Sequence, residues 1–212
     1  MSRPALKAVA WDIDGTLIDS EPLHHRALVA ACRALGADIA DLPDQAFRGI
    51  HMGDVWKQVS PRLPAEIVEA EWAARIDAHY VDNRDSLVAL PGAVATIRAL
   101  AKLGVAQACV SNSSRSVVDA NIAALGIADA IAFSLSLDDV ARGKPDPEPY
   151  RRACERLGLP PETVVAVEDS RSGALSARAA GLFVVGYTPS GGGFERVDLE
   201  IDRLENLLPL FS

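Results

Sequence analysis

The chain has 212 residues, of which 49% are hydrophobic and 24% charged, and a formal net charge of -8. That composition excludes wholesale disorder, and the acidic balance opposes nonspecific binding to nucleic acid or to an anionic membrane. The length suits one large domain, or one domain carrying a smaller insertion. Residues 1–10 lack the charged start, apolar stretch and cleavage site of a signal peptide, and no segment approaches a membrane span. Cys32, Cys109 and Cys154 are odd in number, far apart and set in apolar segments. They predict buried free thiols and a cytoplasmic location rather than disulfides or a zinc site.

Lys7 to Trp11 is the first of several short apolar runs that read as buried parallel strands. Two carboxylates follow at once, in Asp12-Ile13-Asp14-Gly15-Thr16. A long connection comes next, helical in pattern over Leu23 to Leu35, where Pro22 can open the helix, and over Ala65 to Tyr80. Leu90-Pro91-Gly92 marks the return, followed by a helix at Ala93 to Leu103 and a strand at Val105 to Val110. The alternation continues with a helix at Arg115 to Leu125, a strand at Ala130 to Leu135 and a helix at Glu148 to Leu157. A strand at Val164 to Val167, a helix at Arg171 to Ala180 and a strand at Leu182 to Tyr187 complete it. Gly191-Gly192-Gly193 lacks the lysine ending of a phosphate cradle and reads as a surface loop. The pattern predicts an α/β fold with a doubly wound, Rossmann-like parallel-sheet core from residues 1–17 and 87–212. Residues 18–86 are expected to form an inserted α-helical cap over the carboxyl end of the first strand, hinged at its two crossings.

The paired carboxylates stand where open parallel sheets bind ligands, at a strand's carboxyl end. A turn at Gly15 is expected to bring Asp12 and Asp14 to one crevice. Like charges that close need a cation or a shared proton, so the pair predicts a divalent metal, or a nucleophile with an acid. Ser111 follows the strand ending at Val110, Lys144 lies in Gly143-Lys144-Pro145-Asp146-Pro147, and Glu168-Asp169 follows Val167. Each alone has a structural account as a turn, a helix cap or a solvated charge. All four at successive strand ends point to a shared site.

These motifs, Asp12-Ile13-Asp14-Gly15-Thr16, Ser111-Asn112, Lys144-Pro145 and Glu168-Asp169-Ser170, resemble in order those of the haloacid dehalogenase-like hydrolase superfamily. Asp19-Ser20-Glu21-Pro22, Gly173 and Ala179-Ala180-Gly181 are similar to the branch of sugar phosphatases, phosphoglycolate phosphatase and beta-phosphoglucomutase. The resemblance implies magnesium-dependent hydrolysis of a small phosphomonoester, a phosphorylated metabolite such as a sugar phosphate. In it Asp12 is the nucleophile that forms an aspartyl phosphate, and Asp14 is general acid and base. It further implies that Mg2+ joins a carboxylate oxygen of Asp12, the backbone carbonyl of Asp14 and a carboxylate of Asp169. Glu168 stands either as a further ligand or as an outer partner. Ser111 and Lys144 complete the phosphate site, with Asn112 and the amides of Ser113 and Ser114 at a helix start adding anion binding. Thr16 serves either the turn or the phosphate.

In the cap, Glu21, His24, Arg48, His51 and Lys57 can face a polar leaving group, whereas Trp56 and Trp72 fit a small apolar core. Glu21 and His24 gain weight from their closeness to the first motif. The segment Arg48-Gly49-Ile50-His51-Met52-Gly53 departs from the mutase pattern, which has an arginine where Met52 stands. Phosphate hydrolysis is therefore favoured over a phosphosugar mutase. Asp14 and the acidic pair argue against dehalogenation, and the absence of lysine between Lys7 and Lys57 argues against phosphonate chemistry. A receiver domain would carry its acceptor on a middle strand, and a silent binding protein would not need every chemical group. A monomer is the default expectation.

Overall fold

In chain order the strands are β1 (Ala8–Trp11), β2 (Ile18–Asp19), β3 (Val88–Ala89), β4 (Ala106–Val110) and β5 (Phe133–Leu135). Then come β6 (Val164–Glu168), β7 (Phe183–Tyr187) and β8 (Leu199–Ile201). The helices are α1 (Glu21–Ala34), α2 (Met52–Val59), α3 (Glu69–Asp82), α4 (Ala93–Lys102), α5 (Arg115–Leu125), α6 (Glu148–Leu157) and α7 (Arg171–Ala180). This computed structural model describes residues 5–42, 47, 52–189, 191 and 193–211.

Every residue of β1 is buried, so this strand belongs inside a sheet with both faces covered. It lies between β4 and β6 in a six-stranded sheet of order β5-β4-β1-β6-β7-β8, in which every pairing is parallel. Alternate side chains serve opposite layers. Ala8, Ala10, Val164, Ala166 and Val184 join a core cluster with Tyr150, Ala153 and Cys154 of α6 and Ala174, Ala177 and Ala180 of α7. On the other face Trp11 donates through Nε1 to Gln107 Oε1 at 3.0 Å, and Gln107 Nε2 donates to the Ile97 carbonyl of α4 at 2.9 Å. The buried glutamine is thus satisfied while it ties β1 and β4 to that helix. Helices cover both faces, the doubly wound arrangement expected.

The chain divides into two compact units, Met1–Asp19 with Val88–Ser212, and Ser20–Leu87. In the first, β2 and β3 form a short antiparallel ribbon where the chain leaves and returns. In the second, α1 packs on α3 and buries Leu23, Ala27, Leu28, Ala31 and Cys32 with Trp72, Ile76 and Tyr80. Trp72 donates to Cys32 Sγ at 3.4 Å, and the half-buried Trp56 ring lies 5.4 Å from that of Trp72.

Several boundaries differ from expectation. The apolar run from Ala130 begins as a turn, with Ala130 N–H donating to the Ile127 carbonyl at 2.8 Å, and β5 starts only at Phe133. The helix expected from Ala65 starts at Glu69, because Val68 is extended, and its first turn carries Glu69 and Glu71 where the helix dipole favours acids. The edge strand β8 and helix α2 were not anticipated. All three cysteines are buried and free. Gly191 and Gly193 lie outside any regular element, and Gly192 falls outside the described residues. Among the described residues no helix is long and apolar enough to cross a membrane.

Candidate active site

The sheet ladder carries past the end of β1, where the Asp12 N–H donates to the Val167 carbonyl at 3.0 Å. The chain then turns sharply, with Leu17 N–H bonded to the Ile13 carbonyl at 2.8 Å and Gly15 N–H to that of Ile18 at 2.9 Å. Gly15 sits at φ +81°, and a Cβ there would lie 2.1 Å from Asp169 Oδ2. Conformation and space both require glycine, and the space it leaves brings Asp169 against the first motif. Asp12, Glu168 and Asp169 each offer a carboxylate oxygen within 4.8 Å of the others.

Lys144 is buried at the centre of this cluster. Its Nζ donates to Asp12 Oδ1 at 2.7 Å, Glu168 Oε1 at 2.6 Å and the Val110 carbonyl at 2.8 Å. Burial pulls its proton affinity down, but the Asp12 and Glu168 carboxylates more than offset that and hold it above the ordinary lysine value. The loop is fixed by Asn112, whose Nδ2 donates to the Lys144 carbonyl at 3.0 Å while its Oδ1 accepts from Lys144 N–H at 2.8 Å. Asn112 therefore spends its amide positioning Lys144.

Glu168 is fully buried, and both its oxygens are engaged. Oε1 also accepts from Tyr150 OH, and Oε2 accepts from Ser170 Oγ at 3.2 Å. The Tyr150 ring centroid lies 5.2 Å from Lys144 Nζ, a cation–π distance. Gly173 of α7 admits this carboxylate, since a Cβ there would meet Glu168 Oε2 at 1.9 Å. Thr16, also buried, donates to Asp12 Oδ2 at 3.0 Å.

Burial raises the Asp12 carboxyl well above the usual range against the pull of Lys144, and Glu168, Asp169 and Asp14 push it further. Asp169, exposed at the rim yet crowded by protein, is pushed up to about 7 by desolvation and then by Glu168. Asp12, Glu168 and Asp169 thus gather around the Lys144 ammonium, an excess of negative charge that a hard cation would relieve.

Asp14 leaves the turn toward different partners. Its Oδ2 accepts from Ser111 Oγ at 3.1 Å and Ser113 Oγ at 3.0 Å, and its Oδ1 from Asn121 Nδ2 at 3.0 Å. Ser111, expected to donate to a phosphate, donates here through its hydroxyl to Asp14 and accepts from Ser113 N–H at 3.0 Å. Asn121, Ser113 Oγ and Tyr150 were missed from the sequence. The available signal for Asn121 is a polar residue at a core-facing position of α5 beside Val117, Val118 and Leu125.

Glu21 and His24 lie in the first turn of α1, where the His24 ring stands 4.5 Å from that of Tyr80. Lys57 pairs with Asp54 at 2.7 Å. Arg48 and His51 fall outside the described residues.

A family model for haloacid dehalogenase-like hydrolases matches residues 6–181. A plasmid phosphoglycolate phosphatase of Cupriavidus necator is 34% identical over 221 residues, covering 97% of this chain and 93% of the relative. Hexitol phosphatase A of Escherichia coli is 31% identical over 206 residues, covering 95% of this chain and 93% of the relative. Among solved structures, CbbY from Rhodobacter sphaeroides in complex with phosphate superposes with a TM-score of 0.85 at 26% identity, covering 97% of this chain and 99% of that one. The chain belongs to the haloacid dehalogenase-like hydrolases.

Proposed function

We propose that this protein is a phosphoric monoester hydrolase that acts on a small sugar phosphate or related metabolite through an aspartyl phosphate on Asp12, with magnesium as cofactor. The observation that carries this reading is the buried Asp12 carboxylate, held by Lys144 and Thr16 beside the rim carboxylate of Asp169. The relatives named phosphoglycolate phosphatase and hexitol phosphatase A support the reaction class. Residues 18–86 are the cap in this reading, with Glu21, His24, Arg48 and His51 as candidates to read the leaving group. The buried free thiols support a reducing cytoplasm.

The donor set fits magnesium, being all oxygen and short of positive charge. Asp12, Asp169 and the Asp14 carbonyl would hold it. Glu168, whose oxygens already accept from Lys144, Tyr150 and Ser170, anchors the lysine instead. When bound, the metal supplies charge neutralisation and a template for the phosphate.

Lys144 draws Asp12 toward its ionised form and fixes it for in-line attack. The new bond joins an Asp12 oxygen to phosphorus, the ester P–O bond breaks, and the departing alkoxide takes a proton from the Asp14 carboxyl. Water then attacks the same phosphorus and gives its proton to Asp14. The Asp12–phosphorus bond breaks, releasing inorganic phosphate. Ser111 Oγ, with the Ser113 and Ser114 amides at the start of α5, donates to phosphoryl oxygens once substrate draws the hydroxyl from Asp14.

The test is phosphate release across phosphoglycolate, sugar phosphates and nucleotides, with hexose phosphate isomers analysed in parallel. Turnover that disappears in Asp12→Asn is expected. An unchanged rate in that variant, or isomer exchange without free phosphate, refutes the proposal.

A further inference from the structure

Asn121 is fully buried on the core face of α5, where an aliphatic side chain would pack without cost. Its Nδ2 reaches across 107 residues of sequence to Asp14 Oδ1 at 3.0 Å. The Asn121 amide and the hydroxyls of Ser111 and Ser113 are donors of different kinds to Asp14. A carboxamide nitrogen can only donate, so it favours an unprotonated oxygen opposite it, the better acceptor. The hydroxyls of Ser111 and Ser113, both on Oδ2, donate or accept with a rotation of one hydrogen. Oδ1 is therefore kept as an acceptor, while Oδ2 can carry or lack a proton in the same geometry. Oδ2 is also the oxygen on the side of Ser111, at the carboxyl end of β4.

We infer that Asn121 is a positioning residue for Asp14, fixing Oδ1 so that Oδ2 alone exchanges protons with the leaving group and with water. The inference rests on the phosphatase reading above and extends it to a residue in the second layer. Asn121 touches neither substrate nor metal in this scheme. It acts by setting which oxygen of Asp14 faces the reaction.

The test uses leaving groups of different basicity. The departing alkoxide of an alkyl phosphate needs a proton, whereas nitrophenolate leaves without one, so kcat/KM for 4-nitrophenyl phosphate is insensitive to the acid. Asn121→Leu keeps the side-chain bulk and removes the donor, and Asn121→Ala serves where the leucine variant does not fold by circular dichroism. The alkyl ester is whichever of phosphoglycolate and the hexose phosphates the unaltered enzyme hydrolyses best. The expected loss in kcat/KM is about ten-fold on that ester, the value of one charge-assisted hydrogen bond, and under about two-fold on 4-nitrophenyl phosphate. Adding Asn121→Leu to Asp14→Ala should cost nothing further on the alkyl ester, because the residue has lost its target. Equal loss on both esters, or a double variant slower than Asp14→Ala alone, overturns the inference and leaves the phosphatase reading intact. No phosphate release by the unaltered enzyme from any ester overturns the phosphatase reading itself, and the role of Asn121 with it.

Discussion

Replacing Lys144 by methionine removes three donor contacts at once and strands two buried carboxylates. Nζ lies 2.7 Å from Asp12 Oδ1 and 2.6 Å from Glu168 Oε1, and the side chains of Lys144 and Glu168 are 4% and 0% exposed. Solvent screening of this triad is therefore minimal, unlike that of a surface pair. Breaking a buried pair from one side costs about 3–5 kcal/mol, chiefly for the charge left behind. At about 2–4 °C per kcal/mol for a chain of this size, Tm should fall by about 6–20 °C. The pH dependence has a definite sign. Without the ammonium the downward pull of Lys144 on Asp12 is lost, so burial lifts that carboxyl further above its unfolded value, and the folded form is favoured while it is protonated and loses ground as pH rises. Thermal melts in chelator should show Lys144→Met far below the unaltered protein at pH 8 and closer to it at pH 5. Adding Glu168→Gln should recover part of the loss at pH 8 by removing one stranded charge. A Tm within 2 °C of the unaltered protein at pH 8, or a deficit independent of pH, would refute this account.

Magnesium at about 100 times its Kd should stabilise the protein by about 2.7 kcal/mol, and Asp169→Asn should abolish that shift; an undiminished rise in the variant excludes Asp169 as a ligand. Because Asp169 takes up a proton at about 7 without the cation, the magnesium-induced Tm rise should shrink as pH falls through that value. Gly15→Ala places a Cβ 2.1 Å from Asp169 Oδ2 at φ +81° and should cost at least about 1–2 kcal/mol while weakening magnesium binding; normal urea midpoint and affinity would contradict the steric argument. Against the upward pull of desolvation, Ser136 N–H and Oγ with Arg115 hold Asp139 at about 2. Its contribution is present above about pH 4 and lost as pH falls toward 2, so Asp139→Asn should flatten the acid side of the urea-midpoint profile, and an unchanged slope would count against that network.

The sheet and the strand-end motifs were legible because they obey local rules. Residues 8–11 are apolar on both faces, which only a central parallel strand needs, and the polar residue that follows such a strand emerges at its carboxyl end. What the sequence hides is reciprocity between distant positions. Ser111 reads as a phosphate donor from its place after β4, yet whether it faces phosphate or Asp14 depends on Ser113 and on a helix position 10 residues later. Asn121 and Tyr150 each look like one imperfect position in an amphipathic helix, and only their partners, Asp14 and Glu168, give them meaning. The start of α3 was misplaced because apolar spacing continues through residues 65–68, while the extended Val68 ends the turn before the helix. β8 spans three residues, too few for a period of two to stand out.

Asp12 and Asp14 are chemically identical and two residues apart, yet the fold gives them different surroundings. The turn at Gly15 sends one toward an ammonium and the other toward two hydroxyls and an amide. A fixed positive charge lowers the cost of ionising its partner, which suits the attack on phosphorus proposed for Asp12. Hydroxyls impose no such bias, since they donate to a carboxylate and accept from a carboxylic acid, which suits the proton transfers proposed for Asp14. Exchanging these environments would exchange the proposed roles. In the proposed reaction, an Asp14 that faced Lys144 instead would be held ionised, and the alkoxide would leave unprotonated.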